Sequence, residues 1–145
     1  MTPAAPSPLR PPLLLSRLDV ERIEALLEEP GFRQLDTAGL QAELARAELA
    51  EPARMPADVI TMNSTALVRV EDGERGDHQR ELTLVYPRDA DGSAEKVSVL
   101  APVGTALLGL RAGDRIDWPM PGGRSARLEV LAIRHQPEAA GELHR

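Results

Sequence analysis

The chain contains no cysteine, which excludes disulfides, thiolate metal sites and a cysteine nucleophile. Aromatic residues make up only 2% of the 145 residues, so aliphatic side chains must fill the core. No apolar run approaches the roughly 20 residues of a membrane-spanning helix, and the leucines at 13–15 are too few for a signal-peptide core. The sequence therefore predicts a cytoplasmic protein that is not inserted in a membrane.

Basic charge is scarce and comes almost entirely from arginine, because Lys96 is the only lysine. The net charge is −6, which argues against direct or sequence-specific DNA binding, since phosphate recognition needs a clustered basic face. Residues 16–58 hold ten of the 23 acids but only five of the 17 basic residues. The amino-terminal half is thus the acidic one.

Catalytic and metal-binding patterns are also missing. The three histidines have no spacing that would bring two of them onto one helix face, and no serine has a nearby histidine or a nucleophile-elbow motif. The glycines at 122–123 match a hairpin turn and not a phosphate-binding loop. We therefore expect a non-enzymatic protein without a metal or a cofactor.

The first 52 residues predict a tail followed by two helices. Prolines punctuate residues 1–15, which predicts a disordered tail whose last residues, 13–15, could alternatively form a short edge strand. Residues 16–52 predict an antiparallel helical hairpin, a short coiled coil, whose second helix reaches about Glu51. The apolar positions at helical spacing are Val20, Ile23, Leu27, Leu40, Leu44 and Ala47.

A linker with a proline at each end, residues 52–56, separates this hairpin from a second unit at 57–136. There the pattern changes to alternation, which predicts a small antiparallel sheet with one short helix near 104–109, an α+β arrangement. The first strand is expected at 58–62. Residues 137–145 are expected to be a flexible tail.

Acidic residues near the turn of the hairpin are the first candidate site. Glu28 and Glu29 follow the first helix, where the helix macrodipole disfavours negative charge, and Asp36 lies across the connection. Carboxylates at such a tip can recruit a divalent cation in the active site of a partner. The alternative is a solvated acidic surface that keeps the protein soluble, and charge runs usually have that role.

The second candidate is the segment 101–109, because an apolar patch at a strand end is an interface candidate. The alternative is that Ala106, Leu107 and Leu108 are the core face of the helix and cover the sheet. Its sequence is Ala101-Pro102-Val103-Gly104-Thr105-Ala106-Leu107-Leu108-Gly109. This run resembles the signature loop of the carboxy-terminal domain of Gre transcript-cleavage factors. Together with Met55-Pro56, the run from Asp58 to Ser64, Leu84 to Pro87, Pro121-Gly122-Gly123 and the stretch from His135 to Gly141, it resembles the regulator of nucleoside diphosphate kinase family, a Gre-like group.

That resemblance implies a short amino-terminal coiled coil and a carboxy-terminal domain with the fold of FK506-binding proteins. It implies binding of a monomer to the secondary channel of RNA polymerase, in competition with Gre factors. The docking residues would be Ala101, Pro102, Val103 and Gly104, with Leu107 and Leu108 supporting the loop.

Gre factors carry a longer finger with a pair of acids at its tip, whereas Asp36-Thr37-Ala38-Gly39 lacks the second acid. The resemblance therefore implies polymerase occupancy without catalysis, and an active acidic finger is the alternative. An isomerase activity rests on the fold alone, and a site lined by aromatic side chains is hard to build from Tyr86 and Trp118. An effect on nucleoside diphosphate kinase levels would be indirect, through transcription.

Overall fold

The computed structural model describes residues 13–32, 37–72, 76–93, 95–120 and 124–142. The proline-rich tail up to residue 12, the tip position Asp36 and the turn at 121–123 lie outside these ranges. The described chain is an α+β fold. Its helices are α1 (Arg17–Leu27), α2 (Ala38–Arg46) and α3 (Pro102–Leu107), and its strands are β1 (Leu14–Ser16), β2 (Glu48–Ala50), β3 (Thr65–Asp72), β4 (Gly76–Val85), β5 (Lys96–Ser98), β6 (Arg115–Met120) and β7 (Arg124–His135).

The amino-terminal unit is more than a pair of helices. β1 pairs in parallel with β2, so α1 and α2 form the crossover that parallel strands require. Helix α2 ends at Arg46, earlier than the predicted end near Glu51, because the backbone of 48–50 is used for pairing with β1. Leu13–Leu15 thus adopt the edge-strand alternative, and the Glu48 amide donates to the Leu13 carbonyl at 3.0 Å.

Five strands form the main sheet in the order β5-β4-β3-β7-β6. All neighbours are antiparallel except β4 and β5, so the expected purely antiparallel sheet is in fact mixed. The reason is that the chain returns through residues 86–95 and enters β5 in the direction of β4. One side of the sheet carries the buried alternating positions, which include Ala66, Val68, Leu82, Leu84, Leu128 and Val130.

The helices and the sheet share one hydrophobic core. Val20, Ile23 and Leu40 belong to the same buried cluster as Val68 and Leu84 of the sheet. At about 1.5 Å per residue, α1 and α2 are roughly 16 Å and 14 Å long. The described helices are therefore short and packed on the sheet domain through their apolar sides.

Residues 58–62, predicted as a strand, form turns with a single bridge between Val59 and Arg111. The side-chain amide of the buried Gln136 donates to the Val59 carbonyl at 2.7 Å and to the carbonyl of Pro56, just before this segment, at 2.6 Å. Residues 137–142, expected as part of a flexible tail, continue from Gln136 into a hydrogen-bonded turn. This turn lies against residues 58–62, since the Thr61 hydroxyl donates to the Glu138 carboxylate at 2.7 Å.

Candidate functional site

Helix α3 is fixed closely against the end of β5. It begins at Pro102, a residue suited to the first helical position because its missing amide needs no partner there. The Thr105 hydroxyl is buried and donates to the Val99 carbonyl at 2.7 Å. A Cβ on Gly104 would lie 1.9 Å from the Ser98 carbonyl oxygen, so only glycine permits this approach. The backbone of the segment is thus held at a defined position.

The predicted docking residues divide into core and surface positions. Leu107 and Leu108 are 1% and 0% exposed and fill the core beside the sheet, and Gly104 is buried as well. Ala101 and Val103 are partly exposed. For Pro102 the backbone position alone is described. A partner that approaches α3 would therefore meet its amino-terminal residues, while Gly104 and the two leucines determine where those residues lie.

Gly109 joins the end of this segment to the amino-terminal strand. Its φ is +83°, a conformation that L side chains rarely adopt. A Cβ there would also lie 2.8 Å from Leu15 Cδ2 and 3.0 Å from Leu13 Cδ2. The segment 101–109 therefore supports β1 as well as presenting α3.

The acidic candidates lie at the other end of α1. Glu28 and Glu29 are exposed directly after the helix ends at Leu27, and the Phe32 amide donates to the Glu29 carbonyl at 3.0 Å. Within the described ranges, no group of three or more acids and histidines is arranged to hold a metal ion. Glu28 and Glu29, which are consecutive in the chain, are thus both exposed, and Asp36 lies outside the described residues.

Asp19 is a functional candidate beyond those identified from the sequence. Ser16 is the cap, and its side-chain oxygen accepts from the Asp19 amide at 3.4 Å. The Asp19 carboxylate is 3% exposed and accepts a hydrogen bond from the Met62 amide at 3.0 Å. A Ser-x-x-Asp pattern signals a capping box, but nothing in the sequence signals that its acid turns toward a distant backbone amide.

The junction between α1 and the sheet domain is electrostatically unusual. Burial and, to a smaller extent, the nearby Glu138 carboxylate raise the pKa of the Asp19 carboxyl to about 7, against the opposing effects of the Met62 hydrogen bond and Arg22. Burial likewise raises the pKa of the Tyr86 hydroxyl, and the Asp19 charge adds to the effect. A carboxyl that titrates near neutrality thus lies at the contact between the two units.

A second contact closes the amino-terminal unit at its base. Arg17 donates to both carboxylate oxygens of Glu51, at 2.7 and 3.0 Å, and also to Glu21. The Arg17 guanidinium lowers the pKa of the Glu51 carboxyl. This bidentate pair joins the start of α1 to the residue that follows β2, so that the two ends of the crossover are held together.

Family models match both parts of this fold. The carboxy-terminal model of the transcription elongation factors GreA and GreB matches residues 55–135, and a model described as the Rnk N-terminus matches residues 11–49. The regulator of nucleoside diphosphate kinase from Escherichia coli strain K12 is 50% identical over 135 residues, which cover 92% of this chain and 96% of that protein. The chain belongs to the regulator of nucleoside diphosphate kinase family.

The Gre relationship extends beyond this family. The transcription elongation factor GreA of Rhodospirillum rubrum is 34% identical over 110 residues, 76% of this chain and 68% of that protein. A solved structure from Nitrosomonas europaea, described as a prokaryotic transcription elongation factor GreA/GreB, superposes with a TM-score of 0.65 at 46% identity. It covers 87% of this chain and all of that one. Members of the family to which this chain belongs are therefore Gre-like regulators in sequence and in fold.

No helix in the described ranges combines the length and apolar character that a membrane crossing requires.

Proposed function

We propose that this protein is a non-enzymatic transcription regulator that binds RNA polymerase at its secondary channel and competes there with Gre-type factors. The observation that carries the proposal is the match of residues 55–135 to the carboxy-terminal part of GreA and GreB. The sequence resemblance implies that this part docks on polymerase. The protein would act as a monomer in the cytoplasm, where transcription takes place.

The geometry of α3 supports a docking role for its first residues. Ala101 and Val103 are partly exposed at the end of a segment whose position is determined by buried neighbours. A preorganised surface binds at lower entropic cost than a loop that must become ordered. Ala101, Pro102 and Val103 are thus proposed as contact residues, and Gly104, Leu107 and Leu108 as the residues that position them.

The short helices support occupancy without transcript cleavage. Helices α1 and α2 are only about 16 and 14 Å long. Glu28 and Glu29 therefore lie at most one helix length from the start of α1. Val20, Ile23 and Leu40 hold that base in the common core. Carboxylates on so short an extension are not expected to reach a metal ion deep in a polymerase active site.

The test is binding to core RNA polymerase, with a Gre factor as competitor and a transcript-cleavage assay on stalled complexes. Competitive binding without cleavage is expected. Cleavage would overturn the length argument and favour an active acidic finger, and Glu28→Gln with Glu29→Gln would then abolish it. Absence of binding would overturn the proposal as a whole.

A pair of proline variants tests the docking surface. Pro102→Asp places a negative charge at the first residue of α3, where the macrodipole tolerates it, so the fold should persist while polymerase affinity is lost. Pro52→Asp is the matched control, because Pro52 begins another short helical turn, Pro52–Arg54, away from α3. Equal polymerase affinity of the two variants would exclude α3 as the anchor.

The name of the Escherichia coli relative supports a second, downstream effect. That protein is called a regulator of nucleoside diphosphate kinase, and it shares half of its aligned residues with this chain. We propose that any effect of this chain on kinase levels is indirect and follows from polymerase binding. Pro102→Asp should then abolish the effect on kinase abundance in cells, and an effect that persists in this variant would indicate a separate mechanism.

A further inference from the structure

A two-part cleft lies between α1 and the segment that follows β4. Its larger part has a volume of about 790 Å³ and is lined mainly by apolar atoms, with Ala25, Leu26, Phe32 and Pro87 on its wall beside the acidic residue Glu29. Its smaller part, of about 360 Å³, reaches toward Asn63, Thr83 and Lys96. Arg22, Tyr86 and Arg88 line both parts, which are therefore contiguous.

The smaller part concentrates positive charge in a protein of net charge −6. Arg22, Arg88 and Lys96 line it, and one of its described lining residues, Asp89, is acidic. Lys96 contacts Asp91 at 3.6 Å and Arg88 contacts Asp89 at 3.9 Å, and all four side chains are at least 46% exposed. Exposed ion pairs of this kind are weak. A multiply charged anion can replace these carboxylates without a large cost.

Tyr86 forms part of the wall of both parts of the cleft. The residue is 8% exposed, its hydroxyl oxygen is buried, and the Arg22 guanidinium lies beside that hydroxyl. Tyr86 therefore helps to position Arg22 at the boundary between the apolar and the basic part.

We propose that this cleft binds a phosphorylated small molecule with a flat organic body, of the kind represented by a nucleoside diphosphate. The phosphates would occupy the smaller part among Arg22, Arg88 and Lys96, since guanidinium groups match phosphate oxygens in geometry and charge. The organic body would lie in the larger part against Phe32, Leu26 and Pro87. Asn63 would supply amide hydrogen bonds at the phosphate end.

The site is distinct from the proposed docking surface, because no residue of α3 lines either part. A ligand in the cleft would contact both α1 and the sheet domain, and would thus stabilise the junction that also contains Asp19. Polymerase binding and ligand binding can be measured separately, so failure of one proposal does not imply failure of the other.

Titration calorimetry on the full chain with ADP, pyrophosphate and adenosine tests the proposal. ADP should bind most tightly, since pyrophosphate lacks the organic body and adenosine lacks the phosphates. Equal affinity for ADP and pyrophosphate would overturn the assignment of the larger part. Equal affinity for ADP and adenosine would overturn the assignment of the basic part, and no binding of ADP would overturn the site.

Variants that remove one positive charge each test where the phosphates bind. Arg88→Gln and Lys96→Gln should each weaken ADP binding about tenfold, the effect of losing one charge-assisted hydrogen bond. Arg111→Gln is the matched control, because Arg111 is exposed and lines neither part of the cleft. An equal loss in the control would show that attraction to the whole protein, and not the cleft, retains the anion.

Discussion

The Asp19 carboxylate accepts a hydrogen bond from the Met62 amide at 3.0 Å, although 43 positions separate the two residues in the chain. This contact joins the first turns of α1 to the loop that leads into β3. Since the carboxylate is 3% exposed, it makes this hydrogen bond at the cost of leaving water. The contact between the two units therefore includes a carboxylate whose charged form is disfavoured by burial.

Asp19→Asn should alter how stability depends on pH. The pKa of Asp19 is about 7 in the folded protein against an ordinary value of 3.8, so the folded state holds a proton that the unfolded state releases. The contribution of this group to the free energy of unfolding therefore falls as pH rises from about 4 to about 7, by up to roughly 4 kcal/mol. Asparagine does not titrate, so the free energy of unfolding of the variant lacks this dependence on pH.

Urea unfolding of both proteins between pH 4 and pH 8 measures this difference. The free energy of unfolding of Asp19→Asn relative to the original protein should rise through the interval and level off above pH 7. Asp58→Asn is the control, because Asp58 is exposed in the neighbouring turn. Parallel pH profiles for Asp19→Asn and the original protein would contradict the prediction.

Gly109→Ala should destabilise the protein by about 2–4 kcal/mol. The new methyl group meets Leu13 and Leu15 at or below 3.0 Å, and the residue must also adopt a φ of +83°. Gly92→Ala is a matched control, since Gly92 has the same φ with no atom within 4 Å of its Cβ position. Its cost should be about 1 kcal/mol. Equal thermal shifts in the two variants would show that β1 yields without cost.

The sequence predicted what depends on local pattern. Alternation located the long strands of the sheet, and helical spacing located α1 and α2 with their buried positions Val20, Ile23 and Leu40. The two parallel pairings could not be predicted in this way. Alternation at 95–100 does predict a strand where β5 lies, whereas the residues of β2 were assigned to the end of the second helix, and both pairings depend on distant partners.

The candidate site was predicted in outline and not in detail. The segment 101–109 was identified from its residues, but its division into buried leucines and partly exposed Ala101 and Val103 follows from packing on the sheet. The same holds for Asp19 and for the cleft around Tyr86. Each combines residues from α1 with residues more than 40 positions away, and no local spacing reveals such a combination.

Gly104→Ala should shift α3 and thereby reduce both stability and polymerase affinity. The new Cβ would lie 1.9 Å from the Ser98 carbonyl oxygen, and this neighbour is backbone that cannot rotate away. Gly31→Ala, with no atom within 4 Å, is the control. Thermal unfolding and polymerase binding should both change for Gly104→Ala, whereas Pro102→Asp changes binding alone. Normal stability of Gly104→Ala would contradict the close approach of α3 to β5.

Gln136→Met should destabilise the protein by about 1–3 kcal/mol, because the Val59 carbonyl loses its buried side-chain donor and the Pro56 carbonyl is left with the longer bond from the Val59 amide, at 3.4 Å. Methionine has a similar volume, so the loss reports hydrogen bonds more than packing. Gln79→Met, at an exposed position of β4, should change the free energy of unfolding by less than about 0.5 kcal/mol. Denaturant unfolding of the two variants measures the difference. If Gln136→Met is as stable as Gln79→Met, the carbonyls find other donors and Gln136 is not what holds residues 56–59 against the sheet domain.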